Sequence, residues 1–187
     1  MRWITAVLTA GFMMLGFANV SAQQAARETV EADVSTRSVS ITSGFTGTEI
    51  IIFGTVENSR QPSAEAGTYD VVVVVEGTSA PVVVRKKDRV GGLWINRSSI
   101  RFATFPSYYA IASTRPIDEL AEPSLLTKNE IGFGHVRVVP AGRAYIGTLD
   151  SKEALEFREA VIRLKQQDGL YVKSDYGVTF IGRSLFR

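Results

Sequence analysis

The chain has no cysteine and a single histidine among its 187 residues. The first absence excludes disulfide staples, a thiol nucleophile, thiolate metal sites and lipid attachment through sulfur. The second excludes a histidine-rich metal site and leaves any Ser-His-Asp mechanism hanging on His135, which lies in a glycine-rich stretch. Net charge is also scarce, 21 basic against 19 acidic side chains, so the chain lacks the footprint of a nucleic-acid binder, and no nucleic-acid partner is expected. No apolar run long enough to span a bilayer follows Ile181.

What is present begins with an address. Met1-Arg2 supplies a positive charge, Trp3 to Phe17 is an almost uncharged apolar run, and Val20-Ser21-Ala22 puts small residues where a signal peptidase would cut. Residues 1–22 read as a secretory signal, with an uncleaved membrane anchor as the other reading. An exported protein is the expectation, resting for its stability on packing alone.

The rest divides into a flexible lead-in (23–33), a β-sandwich domain (34–148), and a helix with the start of a second β segment (149–187). Val34 to Thr42 alternates and reads as a first strand, Phe45 between Gly44 and Gly47 as an inward anchor at a turn, and Thr48 to Val56 as a second strand with a bulge at Gly54. Asn58 to Gly67 reads as an exposed loop. Tyr69 to Glu76 holds five consecutive valines, whose lack of alternation predicts a central strand buried on both faces, with Val82 to Val84 returning as its partner.

The most unusual stretch is Pro81 to Ala110. Arg85, Lys86, Lys87 and Arg89 end a valine strand, Gly91-Gly92 permits a reversal, and Trp94 follows, which predicts a β-hairpin tipped by positive charge. Pro106 then breaks the ladder before Tyr108-Tyr109. Arg115-Pro116-Ile117 opens one or two helical turns that end before Pro123, and Val136 to Val139 is a candidate strand. Ala154, Phe157, Val161 and Leu164, with Leu155 and Ile162 beside them, recur at helical spacing from Asp150 to Gln167, with Asp150 and Glu153 as a capping box and Gly169 as the stop. Two short strands, Leu170 to Val172 and Val178 to Ile181, close the chain. The fold class is mainly β: an Ig-like antiparallel β-sandwich with one C-terminal α-helix and short strands after it. An apolar pair, Leu185-Phe186, at the very end suggests that the polypeptide continues past Arg187.

Chemistry is thin. Asp70, Glu76, Asp88, Asp118 and Glu119 are scattered over different elements, so no pair of carboxylates is set up for acid-base work. Gly132-x-Gly134 lacks the third glycine of a dinucleotide fingerprint, and the Asn96-Arg97-Ser98 sequon is a frequent chance match. No catalytic residue, metal or cofactor is expected. The constellation with a rationale for binding is Arg85, Lys86, Lys87 and Arg89 with Trp94, Tyr108 and Tyr109, since cations attract phosphate, sulfate or carboxylate and aromatics add flat apolar contact. Against it stands a solvated strand end that discourages edge-to-edge pairing, with the aromatics in the core.

Phe45-x-Gly47-x-x-Ile50 with Phe53-Gly54, Asp70 with its valines, Arg85-Lys86-Lys87, Gly92-x-Trp94-x-Asn96, Phe105-Pro106-Ser107-Tyr108-Tyr109-Ala110 and Gly169-Leu170-Tyr171 together resemble the alphaproteobacterial putative transmembrane protein family. The resemblance covers nearly the whole chain. It implies a signal peptide, a β-rich extracytoplasmic region, a C-terminal membrane helix and a membrane protein partner such as a neighbouring sulfite-exporter-like permease, with no catalytic residues to carry over. A small anion is the alternative partner.

Overall fold

The computed structural model describes residues 26–141 and 152–187. The signal sequence and the Asp150 half of the capping box lie outside the described residues. The strands are β1 (Thr29–Val34), β2 (Ile52–Glu57), β3 (Val72–Glu76), β4 (Ser79–Val90), β5 (Leu93–Pro106), β6 (Tyr109–Ser113), β7 (Val139–Pro140), β8 (Tyr171–Ser174) and β9 (Leu185–Phe186). The helices are α1 (Ile117–Leu120), α2 (Pro123–Lys128) and α3 (Lys152–Gln167). The chain is β-rich with one long helix near its C-terminus and short strands after it, as its sequence predicts. The strands form three three-stranded sheets, β1-β2-β9, β3-β6-β8 and β4-β5-β7, so the topology does not establish the two facing sheets of an Ig-like sandwich.

The organising element is one long, bent hairpin. β3 pairs with β6 from Val72↔Ser113 to Glu76↔Tyr109, and β4 pairs with β5 from Ser79↔Pro106 to Val90↔Leu93. Between the two ladders Gly77 N–H donates to the Tyr108 carbonyl at 2.8 Å and Ser107 N–H to the Thr78 carbonyl at 3.0 Å, so the pairing passes through the bend. Val82 to Val84 therefore does not fold back on the valine run. It continues in the same direction, because Gly77-Thr78 is a bend whose hydrogen bonds are taken by Ser107-Tyr108 and not by its own flanks. Pro81, which has no N–H to give, coincides with the register shift between Ala80 and Val82.

The valine run is an edge strand, not a central one: β6 lies between β3 and the parallel β8. Val72 packs on the main core, Val71 and Val73 on a second, smaller one, and Val74 and Val75 are exposed. The main core joins Ile100, Phe102 and Phe105 of β5, Tyr109 and Ile111 of β6, Tyr171 of β8 and the buried face of α3, which consists of Ala154, Phe157, Val161 and Ile162. Leu155 and Leu164, expected on that face, are exposed. The second core is Val56, Val178 and Phe186.

Other elements depart from expectation at their ends. The first strand is Thr29–Val34, where a flexible lead-in was expected, and Val39, Ile41 and Phe45 are exposed. The reason is partnership: β2 accepts β1 along one edge and β9 along the other, which leaves residues 35–51 no ladder to join. Gly54 keeps regular register with Ala32 and Phe186, so it marks close approach and not a bulge. A Cβ there would stand 2.5 Å from the Phe186 ring and 2.6 Å from the Glu31 carbonyl oxygen. Of the apolar pair near the end, Phe186 makes that contact and is 2% exposed in the second core, while Leu185 is exposed. α2 starts on Pro123, where a missing N–H costs a helix nothing. Val136 and Val138 are buried without forming a strand; only Val139–Pro140 pairs, with β5.

Candidate functional site

The tip of the β4–β5 hairpin is built by its turn. Gly91 and Gly92 have φ of 57° and 88°, the left-handed backbone of a two-residue hairpin loop that side chains resist. That turn enforces Val90↔Leu93, and hence Arg89↔Trp94, Asp88↔Ile95 and Lys87↔Asn96; the next pair is Lys86↔Ser98, so Arg97 is the residue that bulges.

Because side chains alternate along a strand, this register sorts the tip into two faces. One carries Lys86, Asp88, Val90, Leu93 and Ile95 and continues the face that buries Ile100 and Phe102. Its charges are matched: Lys86 meets Glu156 of α3 at 3.3 Å and Asp88 meets Arg97 at 3.0 Å. The Asp88 carboxyl is held below its ordinary pKa by the Arg89 N–H and then by the Arg97 guanidinium. The opposite face carries Arg85, Lys87, Arg89 and Trp94, and the three cations have no ion-pair partner among the described residues. Trp94 is 67% exposed and Leu93 72%, with Val90 and Ile95 also in solvent. The alternative reading that puts Trp94 in the core does not hold: β5 runs out past the helix that covers its other half. At the hairpin's base, Arg85 and Lys86 with Phe157, Ala160 and Arg163 of α3 line a groove of about 450 Å³.

The tyrosines do not join this cluster. Trp94 and Pro106 are separated by roughly 40 Å of extended strand, and Tyr108 and Tyr109 lie beyond Pro106, at the bend. Tyr109 is 1% exposed, so it is a core residue and not a ligand contact. Its hydroxyl donates to the Glu130 carbonyl at 2.9 Å and accepts from the Gly132 N–H at 3.1 Å. Beside it, Tyr171 donates to the Pro106 carbonyl at 3.0 Å, Lys165 stands 5.5 Å above the Tyr171 ring, and Phe133 stacks on it. Burial raises the pKa of both tyrosines. Within the Phe-Pro-Ser-Tyr-Tyr and Gly-Leu-Tyr motifs, Phe105, Pro106, Tyr109 and Tyr171 thus pack in the core, while Tyr108 and Leu170 are exposed.

The sequence missed Arg158. It reaches from α3 to the carbonyls of Phe133 (3.1 Å), Gly134 (2.6 Å) and Val136 (3.1 Å), and burial lowers its pKa. One guanidinium thereby holds a glycine-rich loop that has no ladder of its own, and nothing in a helical periodicity signals such a contact. His135, in that loop, receives its neighbour from α2. The Thr127 hydroxyl donates to the Pro123 carbonyl, so the 2.8 Å contact to His135 Nδ1 has the imidazole N–H as donor. His135, Asp118 and Lys173 line a cavity of about 280 Å³. Among the described residues no three His, Asp or Glu side chains converge to hold a metal ion. A cleft of about 520 Å³ opens between the two smaller sheets, walled by Ile50, Ile51, Val73, Val75 and Val172.

The site therefore defines a β-rich protein whose exposed chemistry is a projecting, cationic, apolar-tipped hairpin. Residues 29–187 match the family described as Putative transmembrane protein (Alph_Pro_TM), and the chain belongs to that family. No curated protein and no solved structure is significantly similar to it. Among the described residues no helix is long and apolar enough to cross a membrane.

Proposed function

We propose that this protein is an exported, non-enzymatic contact module at the periplasmic face of the inner membrane, accessory to a membrane partner such as a sulfite-exporter-like permease, and that the β4–β5 hairpin is its contact element. The observation that carries this reading is the sorting of charge at the tip. Arg85, Lys87 and Arg89 share a face with exposed Trp94 and form no ion pair among the described residues, while the charges of the other face are paired. Unpaired cations beside an exposed indole suit a surface that supplies negative charge and an apolar boundary. The family's description supports a place at a membrane.

The test is fractionation and detergent co-purification of the full-length chain against an Arg85→Ala, Lys87→Ala, Arg89→Ala, Trp94→Ala variant. Wild type is expected to fractionate with the membrane and recover a membrane protein, and the variant to lose that protein. Equal recovery from both would remove the hairpin from the contact.

A second reading, capture of a small anion, is favoured by the same three unpaired cations. Quenching of Trp94 by sulfite, sulfate or phosphate, abolished in an Arg85→Ala, Lys87→Ala, Arg89→Ala variant, would establish it.

A further inference from the structure

Resting on the hairpin as contact element, we infer that its occupant is the surface of an anionic lipid bilayer, which the tip enters with Leu93 and Trp94 while Arg85, Lys87 and Arg89 stay at the level of the lipid phosphates. The shape fits this occupant in three respects. First, the most exposed large apolar side chains of the hairpin, Leu93 at 72% and Trp94 at 67%, sit directly after the turn, at its far end. A membrane interface takes up such a pair because the aliphatic group reaches hydrocarbon while the indole stays at headgroup level with its N–H hydrated.

Second, the cations stand back from the tip at strand spacing. Arg89 is opposite Trp94, with Lys87 and Arg85 roughly 7 and 14 Å further up the same face. Long basic side chains at that remove bury their stems along the strand and present their charge to phosphate. Third, the charge is unspent: Lys86 and Arg97 are tied to Glu156 and Asp88, whereas the three cations of the outward face form no ion pair among the described residues. A peptide groove would need a concave, partly covered wall, but both faces of the tip are open. A free phosphate would use the guanidinium groups without requiring exposed Leu93.

The test uses the full chain carrying Trp3→Phe, so that Trp94 is its sole indole, with vesicles of phosphatidylcholine alone or mixed with phosphatidylglycerol. On the anionic vesicles Trp94 emission is expected to shift to the blue and to be quenched by lipids brominated near the headgroup end of the acyl chain. Removing Arg85, Lys87 and Arg89 together (each →Ala) weakens this partitioning on the order of 100-fold, and Leu93→Ser weakens it roughly 10-fold. Inorganic phosphate at the same phosphate concentration is expected to leave the emission unchanged. Emission that stays that of water-exposed indole on anionic vesicles overturns the inference. If the four-residue variant nevertheless loses its membrane partner in cells, the hairpin contacts a protein, and the broader reading survives without the lipid. A blue shift that grows with protein concentration in the absence of vesicles also overturns it, in favour of a second copy of the chain.

Discussion

The two halves of the β4–β5 hairpin are made of the same two strands and meet opposite fates. Near the bend, Phe102 and Phe105 are fully buried and Ile100 is 2% exposed; near the turn, Leu93 and Trp94 are mostly in water. Residue type alone does not separate them, for leucine is as aliphatic as isoleucine, and tryptophan, like phenylalanine, brings a large aromatic surface to bury. Coverage does. α3 lays Phe157 and Val161 over the lower half, and its reach along β4 is marked by the Lys86–Glu156 pair. Past that pair, among the described residues, the strands have only each other and solvent. A ladder of backbone hydrogen bonds can hold a strand out in water, but an apolar face is buried only where a second layer stands opposite it.

Phe102→Ala against Trp94→Ala breaks the comparison most sharply. The first is expected to cost about 3–5 kcal/mol and the second less than about 0.5 kcal/mol, read as urea midpoints at constant slope. Comparable losses would mean that the tip is packed in solution. Arg158→Met removes the donor to three loop carbonyls and is expected to cost about 2–3 kcal/mol. Faster hydrogen exchange of residues 132–136 would tie that loss to the loop. Gly54→Ala drives a methyl into the Phe186 ring and the Glu31 carbonyl, costing about 1–3 kcal/mol. Loss of protection at residues 185–186 is the sign to look for, and an unchanged melting curve would argue against the close contact.

The smallest effect is in acid. Asp70 receives Arg115 in a two-pronged contact, Nε to Oδ1 at 2.7 Å and Nη2 to Oδ2 at 2.5 Å, and the guanidinium holds its carboxyl below the ordinary value. A depressed folded pKa means stability that is complete above about pH 4, the range of an unfolded aspartate, and is lost as pH falls through the folded value. Asp70→Asn should therefore lower Tm slightly at pH 7 and flatten its decline as pH falls below about 4. A parallel decline in both proteins would show that the pair adds nothing. The groups are half-exposed, so the shift is expected to be small.

Much of this was legible from residues alone. Gly91-Gly92 between β-forming runs demands a tight reversal, and the order Arg85-Lys86-Lys87-x-Arg89 before it and Trp94 after it puts charge and indole near one tip. Ala154, Phe157 and Val161 at helical spacing announced α3. Of the candidate contacts, Arg85, Lys87, Arg89 and Trp94 share one face, Lys86 turns to Glu156, and Tyr109 goes inside. Tyr109 was misjudged because proximity in sequence, fifteen residues on in a strand, means distance in space. The valine run was misjudged because lack of alternation signals two apolar faces, and its two faces do meet two different cores over Val71 to Val73, yet it says nothing about position in the sheet.

By itself, then, the amino-acid order determined the local matters: a β-rich chain without sulfur staples, a two-glycine turn, one amphipathic helix, and the family to which the chain belongs. Only the tertiary structure decided which strand lies beside which, that β3 and β4 form one arm of a bent hairpin, that Phe186 needs a glycine opposite it, and that Trp94 is left outside. The physical reason is that turns and periodicities act between near neighbours along the chain, whereas burial depends on which distant layer arrives to cover a face. Along β5 that layer stops before the turn does.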